Sequence, residues 1–148
     1  MGAVHEEPDD AALRELLEGT RTIAVLGIKA GERDDAYRVP RYLQGCGYRI
    51  VPVNPNLERV LGERAYARLG EVPGALDLVD VFRAAEHLPA HAEEILALDP
   101  PPRAIWLQLG IRHDAVAAHL RRAGIRVVQD RCLMVEHRRL LDPGGSAR

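Results

Sequence analysis

Thr22-Ile-Ala-Val-Leu-Gly-Ile-Lys-Ala-Gly31 begins as an apolar, partly β-branched run and breaks at Gly27. After a polar turn it continues as Asp35-Ala-Tyr-Arg-Val-Pro-Arg-Tyr-Leu43, which reads as the start of a helix. A buried strand, a glycine turn and a helix N-terminus together make a site for nucleotide phosphate. The helix end offers unpaired N–H groups and a partial positive charge, and a glycine lets the backbone approach the phosphate closely. Pro40 is tolerated in a first helical turn but not in a helix interior. It therefore predicts a helix start close to Tyr37 and an unusually long turn over 27–36.

Outward from this stretch, strands and helices alternate. Asp9 or Asp10 caps a short amphipathic helix through Leu13, Leu16 and Leu17, and Gly19 stops it. Strands are predicted at Thr22–Leu26, Tyr48–Val53, Asp77–Phe82, Ala104–Gln108 and Ile125–Gln129. Helices are expected after Tyr37, from Glu86 to Leu98, over 113–123 and from Cys132 to Leu140. Residues 57–75 hold a helical turn or two and a short strand near Arg64 to Tyr66. Pro52 implies that its strand is irregular at the end or unpaired on one side. This spacing indicates right-handed βαβ units. The fold class is α/β, a single Rossmann-like doubly wound domain with a mainly parallel five-stranded sheet. The domain spans 20–141, preceded by a tail and short helix at 1–19 and followed by a disordered tail at 142–148.

A length of 148 residues suits one domain with a real core. The net charge of −2, with acids and bases interspersed, argues against a nucleic-acid partner. No apolar run reaches the ~20 residues of a membrane span, and the acidic N-terminus does not resemble a signal peptide. Cys46 and Cys132 lie far apart with neither disulfide nor zinc spacing. A reducing, cytoplasmic setting is the expectation. Lys29 is the one lysine in a Lys+Arg total of 20, and it sits inside the glycine turn.

Ligands of such sheets bind beyond the carboxyl ends of the strands. Those ends are Gly27 to Ala36, Val53 to Asn56, Phe82-Arg83, Gln108 to Gly110 and Asp130 to Cys132. Gly27 and Gly31 lack the spacing of a dinucleotide fingerprint, and Val53-Asn-Pro-Asn56 offers no carboxylate for an NAD ribose. The phosphate loop of nucleoside triphosphatases is absent as well.

At these strand ends the sequence resembles the small stand-alone CoA-binding proteins, which are similar to the CoA-binding domain of the succinyl-CoA synthetase α subunit. The matching pieces are Ile23-Ala-Val-Leu-Gly27, Tyr37-Arg-Val39 with Tyr42-Leu43, Gly47-Tyr48, Val51-Pro-Val-Asn-Pro55 and Leu61-Gly62. They continue with Asp80-Val-Phe-Arg83, Trp106-Leu-Gln-Leu-Gly-Ile111, Asp130-Arg-Cys-Leu-Met134 and Glu136-His-Arg138. Ile28-Lys29-Ala30 departs from the family, which carries a small or hydroxyl residue soon after the first glycine. The resemblance implies that coenzyme A or an acyl-CoA is the ligand. Its diphosphate would lie over Gly27-Ile28 and the following helix N-terminus. Lys29, Arg33, Arg38 and Arg41 are the available cations. Val53-Asn54-Pro55 would wall the adenine and ribose, while Phe82-Arg83 and Gln108 to Gly110 would line the pantetheine path.

Blander roles compete for several of these residues. Lys29 and Arg33 can be solvated loop charges, and Arg83 can cap a helix or pair with Glu86. Trp106 and His137 read as structural. Cys132 at a helix start is either a reactive thiol or a small core residue, and the core role is preferred. The phosphohistidine and nucleotide-grasp parts of the related ligases are missing from these residues, and no catalytic set is visible. The favoured reading is a binding module. An NAD(P)-binding redox subunit, a thiol-exchange protein using Cys132, and a subunit that borrows a catalytic partner stay open, as does a homodimer.

Overall fold

The apolar runs line up as one parallel sheet in a computed structural model that describes residues 7–141. The strands of this sheet are β1 (Thr22–Leu26), β2 (Arg49–Val53), β5 (Leu78–Val81), β6 (Ala104–Leu107) and β7 (Arg126–Val128). They lie in the order β2-β1-β5-β6-β7, every neighbouring pair parallel. Two short strands, β3 (Arg59–Val60) and β4 (Glu63–Arg64), form a separate antiparallel hairpin. The helices are α1 (Asp10–Gly19), α2 (Asp35–Gly45), α3 (Leu88–Leu96), α4 (Asp114–Arg122) and α5 (Leu133–Leu141). Of the loose start expected at residues 1–8, residues 1–6 lie outside the described residues, as does the disordered tail expected at 142–148.

Strand alternation divides the core into two layers. Ile23, Val25, Leu78, Trp106 and Val128 pack with α1, α2 and α5; Ala24, Leu26, Val79, Val81, Ile105 and Val127 pack with α3 and α4. Both faces are covered, which is why the strands read as nearly continuous apolar runs. Asp9 accepts the Ala12 N–H at 2.9 Å and caps α1, whose Leu13, Leu16 and Leu17 enter the core. Trp106 is fully buried, and its indole N–H donates to the Arg131 carbonyl at 2.8 Å. His137 is buried too and does have a partner, the Tyr42 hydroxyl at 2.8 Å, which fastens α5 to α2.

Pro52 lies on the outer edge of the sheet. Its carbonyl accepts the Tyr66 N–H at 3.0 Å, on the side away from β1, so its missing donor interrupts no sheet ladder. The start expected for α2 is corrected. The helix begins at Asp35 rather than near Tyr37, so Pro40 stands inside it. A proline there leaves the carbonyl of the residue four earlier without a helical donor. That carbonyl, on Ala36, instead takes the Lys29 N–H at 3.2 Å and ties the glycine turn to the helix.

Candidate functional site

In this strand order the chain runs outward from β1 to β2 and then returns past β1 to β5. The crevice between the carboxyl ends of β1 and β5 is therefore the topological switch point, where open α/β sheets bind ligands. Gly27 ends β1 there with φ +89°. Its N–H donates to the Val53 carbonyl at 3.0 Å. A Cβ at this position would lie 2.8 Å from the Phe82 carbonyl oxygen and 3.2 Å from the Arg83 Cδ, so only glycine lets the ends of β1 and β5 come this close.

Beyond Gly27 the loop to Asp34 has few internal bonds, from Lys29 N–H to Ala36 and from Asp34 N–H to Gly31. Among the described residues, the N–H groups of Ile28 and of Ala30 to Arg33 donate to no protein acceptor. Lys29 and Arg33 are exposed on this loop, neither in an ion pair among the described residues. The N-terminus of α2 is less simple than the sequence implies. Asp34 and Asp35 both sit on it and oppose an incoming anion, and Arg38 is engaged by Asp35 at 3.1 Å. The loop amides with Lys29 and Arg33 are the better anion donors.

On the α3 side of the switch point is a cleft of about 160 Å³ lined by Leu26, Gly27, Val53, Asn54, Pro55 and Arg83, together with Ala67, Arg68, His91 and Glu94. Asn54 fixes its wall. Its side-chain amide donates to the Ile28 carbonyl at 2.7 Å, and its carbonyl oxygen accepts the Asn56 N–H at 2.8 Å. Asn54→Ala is expected to destabilise the fold by about 1–2 kcal/mol, since both bonds go and the Ile28 carbonyl loses its donor. Urea denaturation reads this directly, and an unchanged midpoint would rule out that role. A larger hollow of about 550 Å³ lies at the opposite end of the sheet, beside Glu7, Arg121 and Arg126. It is far from the switch point and has no comparable convergence of loops.

Two groups are buried beneath the site. Gln108 accepts the Leu133 N–H at 3.1 Å and so caps α5. Asp80 stands in register between Val25 and Trp106 with both carboxylate oxygens unpartnered among the described residues. Burial pushes its carboxyl well above the usual carboxylate range.

The family model described as CoA binding domain matches residues 21–138. The chain belongs to that family. The uncharacterized protein YneT of Bacillus subtilis (strain 168) is 36% identical over 132 residues, 89% of this chain and 96% of that protein. The structure of cell-free ID.343 from Thermus thermophilus is similar at 46% identity with a TM-score of 0.86, covering 90% of this chain and 100% of the other. A hypothetical protein from Pyrococcus horikoshii OT3 is similar at 30% identity with a TM-score of 0.85, covering 90% and 93%.

In this CoA binding domain, the residues singled out from sequence fall into separate groups. Gly27, Val53, Asn54, Pro55 and Arg83 meet at the cleft, while Lys29, Arg33 and Arg38 stand along the loop and the start of α2. Ile28 is fully buried, so only its backbone faces the turn, and Tyr37 and Phe82 are half-buried against the same core layer. Gly110 and Cys132 lie farther along the sheet. Gly110 donates its N–H to the Asp130 carboxylate at 2.6 Å, and the half-buried Cys132 immediately precedes α5. Ala67, Arg68, His91 and Glu94 had no signal in the sequence. Residues 66–68 arrive through a parallel bridge between Tyr66 and Val53, and His91 and Glu94 project from one face of α3. No helix among the described residues is long and apolar enough to cross a membrane, and no cluster of possible metal ligands occurs among them.

Proposed function

We propose that this protein binds coenzyme A or an acyl-CoA across the carboxyl ends of β1, β2 and β5, as a binding module without ligase chemistry of its own. The family match over 21–138 carries the reading. The switch-point geometry supports it, with loop amides that donate to no acceptor among the described residues beside Lys29 and Arg33, and a cleft against Asn54 and Pro55. The diphosphate takes the loop and the adenosine lies toward Val53–Pro55. The pantetheine arm leaves past Phe82 toward the end of β6.

Calorimetric titration with CoA, acetyl-CoA and NADH tests this. One saturable CoA site is expected, weakened about fivefold by Lys29→Ala or Arg33→Ala, since each removes one exposed phosphate contact. Comparing CoA with acetyl-CoA shows whether the thiol end is free or acylated in the preferred ligand. NADH binding with CoA silent would overturn the reading.

A further inference from the structure

Arg83 is a half-buried cation without a counter-charge among the described residues. It follows Phe82 at the end of β5, and alternation turns Phe82 toward the α2 layer and Arg83 toward α3. Its Nε is shielded from solvent, and no group among the described residues accepts a hydrogen bond from its guanidinium. Glu86, which the sequence offers as a partner, lies instead 3.9 Å from His87. Glu94 is the one carboxylate on the cleft wall. It already accepts the Leu69 N–H at 3.0 Å and stands 3.3 Å from His91 Nδ1. His91 Nε2 is also buried, without a partner among the described residues. In the tautomer that donates Nδ1–H to Glu94, this nitrogen is an acceptor. The cleft thus presents a guanidinium lacking an anion beside an acceptor lacking a donor. Arg68 is exposed at its rim, 3.6 Å from Glu71. Withdrawing the Arg83 Nε–H from water without an acceptor is costly, and an anion bound at the guanidinium removes that cost.

We propose that this cleft seats a ribose phosphate monoester, with Arg83 holding the phosphate, Arg68 screening it at the rim and His91 Nε2 accepting from the adjacent ribose hydroxyl. At about 160 Å³ the cleft suits a phosphate with part of its sugar rather than a whole nucleotide. Under the function proposed above, on which this assignment rests for the ligand's identity, the group is the 3′-phosphate of CoA. The adenosine wall of Asn54 and Pro55 borders the same cleft. Lys29 and Arg33, which do not line it, are left to the diphosphate. The 2′-phosphate of NADPH has the same chemistry and is the other possible source.

Two ligand pairs separate these sources: CoA against dephospho-CoA, and NADPH against NADH. Each is titrated calorimetrically into wild type, Arg83→Gln and Lys29→Ala. Wild type is expected to prefer CoA over dephospho-CoA by about tenfold or more, the range of a hydrogen bond to a charged group. Arg83→Gln is expected to bring the two within about twofold by weakening CoA alone, and its retained dephospho-CoA affinity shows that it folds. Lys29→Ala is expected to weaken both and keep their ratio. Equal wild-type affinities, or a preference that survives Arg83→Gln, would overturn the subsite while leaving CoA binding in place. CoA silent with an Arg83-dependent preference for NADPH over NADH would keep the subsite and overturn the CoA reading. Silence with all four ligands would overturn both.

Discussion

Gly27→Ala is expected to lower stability by about 3 kcal/mol and to abolish ligand binding. Two penalties combine. The φ of +89° places an L residue in the left-handed region, at about 1–2 kcal/mol. The new Cβ would meet the Phe82 carbonyl oxygen at 2.8 Å, and relieving it forces β1 and β5 apart at their carboxyl ends, at a further ~1–3 kcal/mol. Against a total stability of roughly 5–15 kcal/mol this is a large fraction. Gly110→Ala is the matched control, because its φ is +88° with open space where the Cβ would go. It is expected to show the backbone penalty alone. Urea denaturation of both variants gives the steric part as the difference. Equal losses would mean that β1 and β5 do not need their close approach.

Asp80→Asn is expected to flatten a stability–pH slope present in wild type. Desolvation raises the Asp80 carboxyl well above its usual range, so the folded chain keeps this proton at pH values where the unfolded chain has released it. The sign follows from that. Stability is fully present below the unfolded carboxylate value, near pH ~4, and falls as pH rises toward the folded value. Each pH unit in that window costs about 1.4 kcal/mol. Asparagine keeps the shape and cannot titrate, so the variant's stability relative to wild type should climb from about pH 4 upward. The constant offset from burying an amide does not matter; only the slope is diagnostic. Parallel curves from about pH 4 to about pH 7 would mean that Asp80 ionises normally in the folded chain.

Local chemistry made much of this legible from sequence. Thr22–Leu26 matches strand β1 residue for residue because an apolar run flanked by polar turns leaves little choice. Asp9 marks the start of α1 by capping it, and Gly47, at φ +103°, turns the chain out just past the end of α2. The strand-glycine-helix unit and the CoA-binding family were readable for the same reason: their signals lie in contiguous residues.

What sequence could not decide depends on partners distant along the chain. Pro40 argued for a later helix start, yet a loop amide from Lys29 takes the carbonyl that the proline leaves free. Gln108 reads as a lining residue, but α5 folds back so that its first amide meets this side chain. Arg83 reads from sequence as a helix cap or a partner of Glu86, and only the packing of α3 against the end of β5 shows it facing a cleft in which, among the described residues, no group accepts from it. Sequence alone determined the five strands of the main sheet, the helices between them, their order and the family, because periodicity, capping and turn chemistry act between near neighbours. Tertiary structure decided which charges are satisfied, because a hydrogen bond joins whichever groups the fold brings within about 3 Å, however far apart they lie along the chain.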